Sequence, residues 1–318
     1  MESKYSKITQ GVEAIQKVIM GQRPVIEKLF IALLAEGHVL LESVPGSGKT
    51  QLAKSFAKVV DGQFRRVQFT PDVLPSDVTG IQFFNPKTED FQLRMGPVMS
   101  NILLADEINR ATPKTQSSLL EVMEEKQTTI DGDTIPIEKP FIVIATQNSI
   151  ESNQGTFPLP EAQLDRFLMK ITMDYPTLQV EKEILRNYRV NEPLEELSSA
   201  ILFKEDILSL QAEVKHVQVG EVVTDYLLQV VRKTREHPDV ELGISTRGAL
   251  ALMRASQAKA LIHGRNYVSP SDIKDLVPYI FSHRIQLTME ASIQKTATSV
   301  IENILQHVEV PVEVGERD

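Results

Sequence analysis

The chain has 318 residues, 42% of them hydrophobic and 24% charged, with no cysteine and a formal net charge of −9. That length accommodates two domains with sizeable cores, the missing thiols exclude disulfides and thiolate metal sites, and the negative balance disfavours a broad nucleic-acid-binding face, which needs clustered Lys and Arg. No apolar run approaches the roughly 20 residues that span a bilayer, and Met1 to Lys7 lacks the apolar core of a secretion signal, so a cytoplasmic location is expected.

In chain order, the first buried-strand signal is His38-Val39-Leu40-Leu41, followed by a helical pattern over Gln51 to Val60. Phe64 to Phe69 is a weaker strand signal. Ile102 to Ala105, Phe141 to Ala145 and Lys170 to Met173 are further apolar runs of strand length, with a helical pattern over Lys114 to Glu125 between the first two. Strands alternating with helices predict a doubly wound parallel α/β domain, whose ligands sit at the C-terminal strand ends. Two stretches within it read as β-hairpin insertions, at about 77–95 and 128–137; the second carries Asp131-Gly132, which suits a tight turn. Beyond Tyr175-Pro176 the strand signal fades. Helices are expected over Val180 to Arg189, Lys204 to Lys215, Glu221 to Glu236, Thr246 to Ala260 and Ser271 to Phe281, which gives domains at 1–178 and 179–318, the second all-helical.

Chemistry-bearing residues gather at the ends of the apolar runs. Ser43-Val44-Pro45-Gly46-Ser47-Gly48-Lys49-Thr50 reads as a phosphate-binding loop that leads into a helix through Gln51. Small residues let backbone N–H groups wrap phosphate oxygens, and the helix start adds a positive end. Lys49 is expected to bridge β- and γ-phosphates and the Thr50 hydroxyl to bind Mg2+. The motif's first glycine is Ser43 here, which predicts an effect on affinity, not loss of binding. Asp106-Glu107 ends an apolar strand; the Asp is placed to hold magnesium and the Glu to activate a water as general base. Asn148 ends the next run and can orient that water without adding charge. Arg166 and Arg247, one per domain, are candidates to stabilise charge on a transferring phosphoryl group, completing the site from a neighbouring subunit or by lid closure. Surface ion pairs are the plainer reading of both.

These residues, with Val67-Gln68-Phe69-Thr70-Pro71-Asp72, Leu74-Pro75-Ser76-Asp77-Val78-Thr79-Gly80, Ala105 to Ala111 and Leu159 to Phe167, resemble the MoxR family of AAA+ ATPases over nearly the whole chain. The resemblance implies a P-loop core followed by a smaller all-α lid. It implies Walker A at Gly46 to Thr50, Walker B at Asp106-Glu107, sensor 1 at Asn148, an arginine finger at Arg166 and sensor 2 at Arg247. The family usually has Ser-Pro-Arg-Ala where this chain has Ser245-Thr246-Arg247-Gly248, so the helix start lacks the preorganising proline. Ile19-Met20-Gly21-Gln22 is similar to a family segment packed near the base, which would give Gly21 and Gln22 adenine contacts; it reads equally as a helix-breaking turn. The two hairpins would face a central pore, with Lys87 and Arg94 either toward substrate or solvated.

Implied with these are ATP, Mg2+, a homo-oligomer of hexameric ring form, and chaperone-like remodelling, assembly or metal insertion of partner proteins. Those partners often carry von Willebrand A domains, and here such a domain would have to lie on a separate chain. The alternatives are a DNA-acting AAA+ motor or loader, a magnesium-chelatase-like motor subunit, or a non-hydrolysing scaffold. The acidic balance argues against the first, and no stable nucleic-acid binding or membrane span is expected. Glu107 and Asn148 argue against the scaffold.

Overall fold

Runs of Val, Ile and Leu buried on both faces form the central strands of a sheet, as expected of parallel strands covered by helices. The computed structural model describes residues 4–44, 46–148, 155–189, 192–197 and 200–311. The central strands are β1 (Val39–Ser43), β2 (Phe64–Gln68), β5 (Ile102–Asp106), β8 (Ile142–Asn148) and β9 (Met169–Met173). They pair in parallel in the order β2-β5-β8-β1-β9. All strands therefore point their C-terminal ends to one edge, and β2 and β9 are the sheet's outer strands.

Two antiparallel hairpins are inserted between the central strands. β3 (Gly80–Asn85) pairs with β4 (Asp90–Met95), and β6 (Gln127–Ile130) with β7 (Asp133–Pro136). The second turn holds Asp131 and Gly132 at φ 50° and 97°, the two positive angles a tight primed turn needs.

Helices α1 (Lys4–Val18) and α2 (Arg23–Leu34) precede the sheet. They are joined by α3 (Lys49–Val59), α4 (Pro75–Thr79), α5 (Pro113–Glu125) and α6 (Glu161–Leu164). Then follow α7 (Leu178–Asn187), α8 (Pro193–Glu196), α9 (Lys204–Val214), α10 (Glu221–Glu236), α11 (Thr246–Ile262), α12 (Pro270–Phe281), α13 (Met289–Gln294) and α14 (Ala297–His307). No described helix is long and apolar enough to cross a membrane.

The chain divides into two compact units, Met1–Leu210 and Gln211–Asp318. Strands give way to helices near 178, but the division falls later, inside α9. The reason is that the intervening chain packs back on the sheet-bearing unit. Ile201 and Leu202 both donate backbone N–H groups to the Val59 carbonyl, and Lys204 pairs with Glu138 at 2.8 Å. The second unit is helical but not purely so: β10 (Val240–Leu242) and β11 (Gln286–Leu287) form a short antiparallel ribbon. Its α12 starts on a capping box, with Asp272 accepting from the Ser269 backbone and held by Arg265 at 2.7 and 2.8 Å. Burial pushes the Asp272 carboxyl up, but the Arg265 guanidinium and the Ser269 N–H outweigh it and hold the group below the usual carboxylate range.

His38 locks the N-terminal edge of the sheet. The Val143 N–H donates to Nδ1 at 3.0 Å, so the proton sits on Nε2, which faces the Met123 carbonyl at 3.0 Å. Burial lowers the pKa of this imidazole from 6.5 to about 4; the Met123 carbonyl opposes the shift and Lys126 adds to it. Between those values the unfolded chain binds a proton that the native state refuses, so stability is complete above pH 6.5 and falls as pH drops toward 4. Urea melts are expected to lose about 2 kcal/mol between pH 7 and pH 5 from this group alone. That increment should vanish in His38→Asn, and an equal pH slope in the variant would contradict the assignment.

Candidate active site

β1 ends at Ser43 and α3 begins at Lys49. Gly46 and Gly48 sit at φ 80° and 88°, in the left-handed region where glycine costs least. Gly48 directly precedes Lys49, so the loop delivers the first turn of α3, with its unsatisfied N–H groups, to the C-terminal edge of the sheet. Lys49, Thr50 and Gln51 occupy that turn, each half-buried, and Val44 is half-buried at the loop's start. Pro45 lies outside the described residues. Ser43 is the last residue of β1, in register with Asn148 on one side and Met173 on the other. It takes the extended conformation open to any residue, so serine at this position carries no backbone penalty.

Three buried polar atoms around this loop have no hydrogen-bonding partner among the described residues: Ser43 Oγ, Ser47 Oγ and Gln51 Oε1. Buried polar groups are nearly always satisfied. Three orphans at one glycine-bearing turn fit a polar ligand seated there, and the helix start beside them fits an anionic one.

Asp106 and Glu107 lie two strands away at the same edge. Asp106 is only 5% exposed. Thr146, on β8, donates its hydroxyl to Asp106 Oδ1 at 2.6 Å and accepts the Glu107 N–H at 2.9 Å. That hydroxyl thereby fixes both acidic residues relative to β8. Glu107 itself adopts φ 57° and ψ 50°, a left-handed conformation unusual for a side chain of its size. The turn sends its carboxylate out of the strand line toward Gln68 Nε2 at 2.9 Å and Arg110 Nε at 3.0 Å. Asn148, buried at the end of β8, stands between the Asp106 strand and the phosphate loop. The structure thus assembles residues 43–44, 46–51, 106, 107 and 148 along one edge.

The arginines are placed differently. Arg166 follows α6 and pairs with Glu124, at the end of α5, at 3.0 Å. Two residues later Leu168 donates to the His38 carbonyl, where β9 and β1 begin. Arg166 therefore sits at the N-terminal edge, and a five-residue strand at about 3.3 Å per residue puts roughly 16 Å between it and its own phosphate loop. Arg247 is exposed in the first turn of α11 in the second unit. Ser245 caps that helix by accepting the Gly248 N–H at 3.2 Å, so a side-chain cap organises the start where a proline is absent.

Gly21 and Gln22 form the turn between α1 and α2. Gly21 has φ 76°, and a Cβ there would lie 3.1 Å from Val180 of α7. Gln22 Nε2 donates to the Asp174 carbonyl at 3.1 Å. Ile19, just before the turn, is 3.8 Å from where a Gly48 Cβ would be. This turn therefore lies against the phosphate loop on one side and the chain after β9 on the other.

Four contributors at this edge have no role assigned by the sequence motifs. Thr146, Arg110, Arg66 and Gln68 all touch the acidic pair, Arg66 reaching Asp106 Oδ2 through Nε at 3.2 Å and Nη2 at 2.7 Å. The signal for the last two is their spacing: residues two apart on β2 share a face, and that strand's last residue registers with Asp106.

Residues 38–169 match the family model described as "ATPase family associated with various cellular activities (AAA)", and residues 232–304 match that of the AAA lid domain. Among curated proteins, the chain is 48% identical to the uncharacterised protein YeaC of Bacillus subtilis, covering 98% of this chain and 97% of that one. It is 40% identical to the chaperone MoxR1 of Mycobacterium tuberculosis, over 96% and 82% of the two chains. The protein MoxR of Methylorubrum extorquens is 29% identical over 86% and 85%. Among solved structures, an ATPase candidate from Cytophaga hutchinsonii superposes with a TM-score of 0.89 at 40% identity, covering 97% of this chain and 96% of that one.

Proposed function

Because this chain belongs to the MoxR family of AAA+ ATPases, we propose that it hydrolyses ATP with Mg2+ in a ring of copies, six in the family's form, and spends the cycle remodelling a partner protein. The observation that carries the reading is the single strand edge where a glycine-turned helix start, three orphaned polar atoms, an acidic pair and Asn148 meet.

In this reading the backbone N–H groups of residues 46–51 hold the phosphates. Lys49 reaches the β- and γ-phosphates, and the Thr50 hydroxyl and Asp106 hold the metal. Bound magnesium supplies charge neutralisation at the transferring phosphoryl group. Glu107 accepts a proton from the attacking water, and Asn148 orients that water against the γ-phosphate. Gly21 and Gln22 border the base, with Ile19 and Val180 as apolar walls. Arg166, too distant to serve its own loop, acts on the site of the next copy. Arg247 reports from the lid. The two hairpins line the pore, and the partner is a separate chain with a von Willebrand A-type domain.

Lys49→Ala is expected to weaken ATP binding about 10- to 100-fold, the loss of a charge-assisted phosphate contact. Isothermal titration with a non-hydrolysable ATP analogue measures it, and unchanged affinity would count against the phosphate-loop assignment.

A further inference from the structure

We infer that Arg66 is the resident counter-cation of Asp106, and that a divalent metal enters this site by displacing a guanidinium. The inference rests on the reading of Asp106 as a metal-holding carboxylate.

Asp106 is buried, and a carboxylate removed from water demands either hydrogen bonds and an opposite charge or protonation. Its Oδ1 is taken by the Thr146 hydroxyl and its Oδ2 by two N–H groups of Arg66. The two partners are unequal. The Asp106 side chain is 8% exposed and the Arg66 side chain 43%. Arg66 stands on β2, an outer strand of the sheet, so its guanidinium can turn into water with little change in solvation, whereas the carboxylate cannot follow it. Within the second unit the same kind of pair is built differently. Arg265 closes a fork on both oxygens of Asp272, and its side chain is 27% exposed. Arg66 grips one oxygen only, and the same Nη2 also donates to Gln68 Oε1 at 2.6 Å. A fixed buried anion facing a half-exposed cation that holds a single oxygen is the arrangement of an exchangeable counter-ion. Metal affinity at this edge is then set by competition between two cations, and removing the protein's own cation strengthens the metal's hold.

Mn2+ reports this directly, because its electron paramagnetic resonance signal is lost on binding. Full-length wild type, Arg66→Gln, Arg66→Met, Arg66→Lys and Asp106→Asn are titrated with Mn2+ in the presence of a non-hydrolysable ATP analogue, and each is checked by thermal melting. The neutral variants are expected to bind Mn2+ about tenfold more tightly, the effect of removing one close charge from the site. Arg66→Lys, which keeps the charge, is expected to stay near wild type, and Asp106→Asn to bind Mn2+ weakly. If both folded neutral variants bind Mn2+ no better than wild type while Asp106→Asn binds it poorly, the counter-ion inference is overturned and the metal reading stands. If Asp106→Asn binds Mn2+ as wild type does, the metal reading fails and the inference with it.

Discussion

Glu107→Gln is expected to keep ATP bound and to cut turnover by about 10²- to 10⁴-fold, the range a positioned general base contributes. The geometry supports this split between binding and chemistry. Glu107 lies outside the phosphate loop, so the backbone N–H groups and Lys49 are untouched by its loss. The residue is fixed at three points: the Thr146 hydroxyl accepts its backbone N–H, and Gln68 and Arg110 both hold its Oε2. Gln keeps the size and the left-handed turn but cannot take a proton. Filter binding with labelled ATP, beside phosphate release, separates the two quantities. Turnover at the wild-type rate would remove Glu107 from the role of base. Loss of ATP binding would instead place it in the binding site itself.

Arg166→Ala is expected to lower hydrolysis about 10³-fold or more, as loss of an arginine that stabilises a transferring phosphoryl group does, while leaving ATP affinity near wild type. Its position sets this expectation. Arg166 emerges at the edge where β9 starts and its ion pair with Glu124 lies at the end of α5, so it cannot approach its own Gly46-to-Thr50 loop while the sheet stays intact. A neighbour's loop has no such constraint. Mixing Arg166→Ala with Lys49→Ala copies is therefore expected to restore part of the activity, since some contacts then join an intact loop to an intact arginine. No recovery on mixing, with both variants folded and assembled, would mean the arginine does not act across copies.

Much of this was legible in the residues alone, and the reason differs by element. The central strands were readable because a parallel strand buried on both faces is a short unbroken apolar run, as in Ile102 to Ala105. The turn at Asp131-Gly132 was readable because two positive φ angles select those residues. Helices α1 and α2 were not foreseen. The run Phe30 to Leu34 in α2 is buried on all sides, so it has no polar face to show a helical period. The loop and the acidic pair carried their own spacing signals, but the surroundings of the acidic pair did not. Arg66 and Asp106 are 40 residues apart, and only the β2–β5 register brings them together. Ser43, where the motif has its first glycine, was expected to affect affinity, and the structure places it in β1, ahead of the turn. The Thr246 substitution looked like a weakened helix start, and the Ser245 cap organises it. The division between compact units was hidden because a change from strands to helices does not mark where packing thins.

The most direct test of the account is specific ATPase activity against protein concentration, with Mg2+ present. A site completed between copies predicts that activity per chain rises with concentration and levels off as assembly saturates, and that Arg166→Ala stays inactive at every concentration. Activity per chain that is constant down to the most dilute samples, and that survives Arg166→Ala, would show a site complete within one chain and would contradict the account.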